Sequence, residues 1–229
     1  MEQTVKLLPH GDRAISVVFP EEISEEVNAR VLALCSAIDE AKIPGIINCV
    51  PGYHTLLVEY DPLQLTYGQA AGLVCPLTSS GRREVQGRIV ELPVCYGGDL
   101  GPDLEAVAAH TGLAPEEVIS RHAGSTYRVH MLGFRPGFPY LGGLDPALAT
   151  PRLPTPRHRI EGGSVGIAGA QTGVYPEASP GGWNLIGRTP VKLFDEKRGP
   201  LLRPGDELRF VPVDRPTYDA VLKTGAWPL

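Results

Sequence analysis

The sequence predicts a small two-layer α+β domain followed by a closed β-barrel with two short inserted helices. The first third of the chain alternates strand-like and helix-like apolar patterns. From residue 126 onward it is short strands divided by Gly/Pro turns. Between the two regions, residues 78–87 (TSSGRREVQG) are polar and lack apolar periodicity. These observations place an α+β domain at 1–80, a linker at 81–87 and a barrel domain at 88–229.

In chain order, Thr4–Leu8 and Ala14–Phe19 read as strands joined by a turn at His10-Gly11-Asp12. A helix is expected over Ser24–Ala41, because Val27, Val31, Leu34 and Ile38 recur on one face. Ser24 is its N-cap, Glu25 and Glu26 favour its positive end, and Pro44-Gly45 ends it. Ile46–Val50 and Thr55–Tyr60 form a second strand pair around Pro51-Gly52, and a short helix near Thr66–Cys75 completes a ββαββα unit. Beyond the linker, Arg88–Tyr96 is a strand. Pro102–Thr111 and Pro115–His122 are short helices with proline in the first turn. TYRVHML, GSVGIAG, PVKLFD and ELRFVPV read as further strands, the last preceded by a turn at Pro204-Gly205-Asp206.

The chain has 229 residues, 42% of them hydrophobic and 21% charged, with a formal net charge of −5. This is ordinary globular composition, long enough for a substantial core. No basic block is present, which argues against nucleic-acid binding. Its cations are mainly arginine, 16 Arg against 5 Lys, a preference that suits bidentate contact with carboxylate or phosphate and that codon usage also explains. Cys35, Cys49, Cys75 and Cys95 are widely spaced in apolar settings and give no metal-ligand spacing, so buried thiols and no metal site are expected. The first residues show no leader pattern and no apolar run reaches the length of a membrane span. A cytoplasmic location without membrane contact is expected.

Two segments stand out. Met131–Leu144 (MLGFRPGFPYLGGL) and residues 162–190 (GGSVGIAGAQTGVYPEASPGGWNLIGRTP) combine glycine, proline and aromatic residues, and read as neither helix nor ordinary strand. Proline holds such a path rigid, glycine lets backbone approach closely, and rings on it lose little freedom when they line a site. Phe134, Phe138, Tyr140, Tyr175 and Trp183 are therefore candidates for a pocket or interface wall, and each can equally be core. Arg135, Arg157, Arg159 and Arg188 flank Gly/Pro turns and are candidates for holding an anion. Gln171 and Thr172, in GAQTGVYP, can hydrogen-bond an amide substrate or close a turn. His158, in RLPTPRHR, is the candidate acid or base; lone histidines are more often structural. No phosphate-binding loop of the GxxxxGK[ST] type and no GxSxG elbow occurs.

Long runs with this unusual composition, PHGDRAISV, VPGYHTLLVEYDP, ELPVCYGGDLGPDLEAVAAHTGL, HMLGFRPGFPYLGGLDPALATPRLPTPR, GGSVGIAGAQTGVYPEASPGGWNLIGRTPVKLFD and LLRPGDELRFVPV, cover nearly the whole chain. They resemble the KipI/PxpB family, the allophanate-hydrolase small-subunit-like proteins of carboxyltransferase subdomains C and D. One departure is Ile160-Glu161-Gly162-Gly163, where the family pattern is nearer Val-Pro-Ala-Gly; Glu161 adds negative charge beside the expected anion site. The resemblance implies that the barrel is cyclophilin-like. It implies the B component of an ATP-dependent 5-oxoprolinase acting with subunits C and A, opening 5-oxo-L-proline to L-glutamate, with ATP and Mg as co-substrate and little activity from this chain alone. It also implies two alternatives: an inhibitor of a sporulation histidine kinase, and a carboxyltransferase component of a urea or amide carboxylase system.

Overall fold

A computed structural model describes residues 5–20, 24–79 and 87–227. The chain divides into two compact units, Met1–Gln86 and Gly87–Leu229. The segment read as a linker, 81–87, lies outside the described residues except for Gly87.

In the first unit, β1 (Lys6–His10) and β2 (Ala14–Val18) form a hairpin, followed by α1 (Glu25–Ala41), β3 (Ile46–Pro51), β4 (Thr55–Tyr60) and α2 (Tyr67–Val74). The four strands make one antiparallel sheet in the order β1-β2-β4-β3. α1 starts where expected: the Ser24 hydroxyl accepts from the Val27 amide at 3.2 Å. It ends at Lys42, which adopts a left-handed φ of 45°. α2 begins with a reciprocal capping box between Thr66 and Gln69. Val27, Val31, Leu34 and Ile38 of α1 pack on Ile15, Val17, Leu56 and Val58 of the sheet, the partnership that the 3.6- and 2-residue periods require.

The second unit contains β5 (Ile89–Tyr96), α3 (Leu104–Thr111), α4 (Pro115–Gly124), β6 (Thr126–Leu132), β7 (Pro139–Gly142), β8 (Arg157–Ile160) and β9 (Ser164–Ala168). It continues with β10 (Gln171–Val174), β11 (Ser179–Gly181), β12 (Asn184–Arg188), β13 (Phe194–Asp195), β14 (Gly199–Pro200), β15 (Glu207–Pro212) and α5 (Arg215–Thr224). Seven strands close a barrel in the order β10-β7-β6-β15-β5-β12-β9. Among the described residues, only β5 and β15 pair in parallel within it. β8 with β11, and β13 with β14, form separate two-stranded ribbons. Inward residues such as Leu92, Val94, Val129, Leu141, Val165, Ile167, Ile186 and Phe210 fill the barrel.

The turn at Pro204-Gly205-Asp206 is held by one carboxylate. Asp206 accepts from the Arg88 amide at 3.0 Å and the Arg203 amide at 2.9 Å, and pairs with the Arg88 guanidinium at 2.6 Å. Burial alone raises the Asp206 pKa, but these donors outweigh it and hold the group below its ordinary value.

Several expectations need correction. Met131–Leu144 carries an ordinary strand, β7, beyond the expected end of β6, and 162–190 adds β10, β11 and β12 to the strand expected at GSVGIAG. Glycine is tolerated in these strands because neighbouring rings and backbone occupy the space a side chain would take. PVKLFD is strand only at Phe194–Asp195, and α5 was not expected at all. The thiols are less buried than their apolar neighbours suggest: Cys75 is exposed and the other three are half-buried.

Candidate functional site

The two glycine- and proline-rich segments converge. Phe138 is the hub: its ring meets Phe134, Tyr140, Tyr175 and Trp183 at centroid distances of 5.6, 5.2, 5.5 and 5.6 Å, all edge-on. Phe138, Tyr175 and Trp183 are buried with Ile160, Ala168 and Leu185 in a second core, separate from the barrel interior. Glycines make room for it. A Cβ at Gly173 would lie 3.1 Å from both Phe138 and Trp183, and one at Gly181 would collide with the Tyr175 hydroxyl. Tyr140 is half-buried, whereas Phe134 is 61% exposed and holds a left-handed φ of 64°. The sequence thus buries most of the ring set and leaves Phe134 presented on a turn. Arg135 beside it reaches Glu177, 3.5 Å away on the other segment.

The remaining candidates fall into three environments. Arg157 donates to Asp103 at 2.7 Å, while the second Asp103 oxygen accepts from the Leu185 amide at 2.6 Å. This guanidinium ties β8 to the start of α3 and to β12. His158 and Arg159 are exposed on β8, and Arg159 pairs with Glu161 at 2.7 Å. Gln171 is half-buried at the start of β10, opposite Ala168.

Thr172 lies inside the barrel. Its hydroxyl donates to the Gly166 carbonyl at 3.0 Å, so it accepts from His122 Nε2 at 2.8 Å; His122 Nδ1 in turn accepts from the Tyr96 hydroxyl at 2.8 Å. Each hydroxyl has one proton, and this chain of bonds therefore fixes His122 as the neutral Nε2–H tautomer. The ring is fully buried and stacks on Phe210 at 4.6 Å. Burial pushes its pKa down to about 3.

Sequence reasoning missed His122, although it follows buried Val118 by one helical turn and so lies on the inward side of α4. The unfolded chain protonates this histidine below its ordinary value near 6.5, while the folded ring resists until about 3. Between those values the unfolded state binds more protons, so stability falls with falling pH. The loss is about 1.4 kcal/mol per pH unit, or roughly 2 kcal/mol from pH 6.5 to 5. Urea titrations at pH 7 and pH 5 should show this drop, and His122→Gln should flatten it.

Arg188 differs from the other candidate arginines. It stands at the end of β12, opposite Ser164 of β9 on one side and Cys95 of β5 on the other. Val165 and Ile167 point into the barrel core, so Ser164 and its cross-strand partner Arg188 face outward. The Ser164 hydroxyl and Arg188 Nε are buried without a hydrogen-bond partner among the described residues. Tyr218 of α5 lies near the Arg188 side chain, and burial raises the Tyr218 pKa in spite of the nearby cations. Buried polar atoms with no partner are uncommon, and a guanidinium beside a free hydroxyl is suited to an oxyanion. Among the described residues, no group of three His, Cys, Asp or Glu side chains is placed to hold a metal ion.

The model of the family described as "Carboxyltransferase domain, subdomain C and D" matches residues 5–202, and the chain belongs to this family. Within it, the chain is 47% identical over 224 residues to the B component of 5-oxoprolinase from Bacillus subtilis, covering 92% of this chain and 93% of the relative. It is 52% identical over 215 residues to the protein of the same name in Haemophilus influenzae, covering 90% and 97%. Among solved structures it resembles TTHA0988, with a TM-score of 0.80 and 44% identity over 90% of this chain. The chain spans only 41% of that protein's length.

Proposed function

We propose that this chain is the B component of a 5-oxoprolinase, which opens 5-oxo-L-proline to L-glutamate with ATP hydrolysis in a complex with subunits C and A. The observation that carries this reading is 47–52% identity to two such B components along almost the full length of the chains compared. We place the protein in the cytoplasm and read its barrel as cyclophilin-like.

A lactam is a weak electrophile; phosphorylating its oxygen makes the ring carbon open to attack by water. MgATP is the co-substrate that supplies this phosphoryl group. The described residues offer no ready set of metal ligands, so no step is routed through magnesium on this chain. What the chain contributes is positioning. Arg188, with Ser164 behind it, holds the carboxylate of 5-oxoproline by a charge-assisted hydrogen bond. Phe134 and Arg135, presented on their turn, form part of the contact with a sister subunit. Arg157 and Thr172, engaged in internal bonds, act as framework, and His158 is left as a surface group open to test as acid or base.

Co-expression with the other two subunits, followed by assay of glutamate released from 5-oxoproline, tests the reading. Release is expected from the assembled complex only, and only with ATP. An assembled complex that hydrolyses ATP without 5-oxoproline dependence, or glutamate release by this chain alone, would overturn it.

A further inference from the structure

Two of the four cysteines meet in the first unit. Cys49 on β3 stands opposite Val58 on β4, and Val58 is fully buried in the core beneath α1. Directly opposed residues project to the same face of a sheet, so the Cys49 side chain points toward α1. On that helix, Cys35 follows Val31 by four residues and precedes Ile38 by three, and both of those are buried against the sheet. Cys35 and Cys49 thus border the same core from facing elements, each half-buried and each a free thiol. Each thiol perturbs the protonation of the other, as neighbouring sulfurs do.

We infer that Cys35 and Cys49 form a peroxide-reactive dithiol site that closes to a disulfide bridging α1 and β3. Their facing positions on α1 and β3, against one core, bring the two thiols together, and partial exposure admits a small oxidant. The roles of the two thiols differ. The neighbouring Cys49 thiol lowers the pKa of Cys35, outweighing burial and the nearby Asp39 carboxylate, whereas Cys35 and burial raise that of Cys49. In the proposed order Cys35 is the attacking thiolate and Cys49 the resolving thiol, and the serine variants decide it.

The chemistry balances. The Cys35 thiolate attacks one oxygen of hydrogen peroxide, the O–O bond breaks, and hydroxide leaves, giving a sulfenic acid. That hydroxide takes the Cys49 proton and becomes water. Cys49 sulfur then attacks Cys35 sulfur, the S–O bond breaks, and the departing hydroxide leaves as a second water after taking up a solvent proton. Two electrons pass from the thiol pair to peroxide, and an external dithiol returns them. The product closes a loop over residues 36–48, including the end of α1 and the Pro44-Gly45 turn. A cross-link of this kind restricts the unfolded chain.

The test uses the full chain and hydrogen peroxide at one equivalent. Thiol titration under denaturing conditions is expected to fall from four per chain to two. Non-reducing peptide mapping is expected to show a Cys35–Cys49 linkage, and dithiothreitol to restore all four thiols. Cys49→Ser should instead accumulate a dimedone-reactive sulfenic acid at Cys35. Cys35→Ser should slow peroxide consumption about tenfold. Retention of four thiols, oxidation of Cys75 or Cys95 ahead of this pair, or linkage only between molecules would overturn the inference. The mapping of the unaltered protein decides the matter even if a serine variant does not fold.

Discussion

Phe138→Ala is expected to destabilise the second unit by about 3–5 kcal/mol, the cost of removing a large buried ring with incomplete collapse around the space it leaves. Phe138 is 2% exposed and contacts four other rings, so its removal affects β7, the β10–β11 connection and β12 together. Gly173, held close to both Phe138 and Trp183, has no side chain to move into the gap. The midpoint for thermal unfolding of this unit should fall by roughly 10 °C. Phe134→Ala provides the contrast. That ring is 61% exposed, and its loss should leave the midpoint nearly unchanged while weakening association with a sister subunit. A Phe138→Ala protein that melts within a degree or two of the unaltered chain would show that the two segments do not share a core.

In the assembled enzyme, Arg188→Gln is expected to raise the KM for 5-oxoproline by roughly 10- to 150-fold, with a smaller change in kcat. That range corresponds to about 1.5–3 kcal/mol for a hydrogen bond to a charged group. Glutamine keeps a donor but loses the charge and the forked geometry. Ser164→Ala should act in the same direction but less strongly, because it removes a neutral partner. Neither change breaks an ion pair among the described residues, so both proteins should fold and assemble. Arg157→Gln is the discriminating control: it severs the contact with Asp103 and should lower stability before it alters KM. Unchanged kinetics in Arg188→Gln would remove this arginine from the substrate site and leave the oxoprolinase reading itself standing on the activity of the complex.

Much of the architecture was legible residue by residue. The spacing of Val27, Val31, Leu34 and Ile38, with Ser24 ahead and Pro44-Gly45 behind, carries α1 almost to its observed ends, because capping and periodicity are local physics. Pro204-Gly205-Asp206 is likewise a turn on local grounds, and the structure adds that Asp206 clasps Arg88 from far along the chain. α5 went unread even though Asp214 caps it, Pro216 occupies its first turn and Tyr218 and Val221 share its buried side. The signals were present but fell beyond the last recognised strand. Strands β10 to β12 were harder. β9 is buried along its whole length, and its neighbours are short and rich in glycine, so the alternation that marks a half-exposed strand is missing.

The candidate site divides in the same way. The sequence by itself determined that this chain carries two rigid, aromatic, arginine-flanked segments and a barrel-forming strand pattern, because composition and short-range spacing depend only on near neighbours along the chain. Only the tertiary structure decided that Phe138 is a hub and Phe134 a presented ring, that Thr172 belongs to the buried His122 chain, that Asp103 occupies Arg157, and that Arg188 faces outward beside an unpartnered Ser164. Those assignments depend on strand register and on partners dozens of residues away. A one-residue slip in pairing would turn each of these side chains to the opposite face.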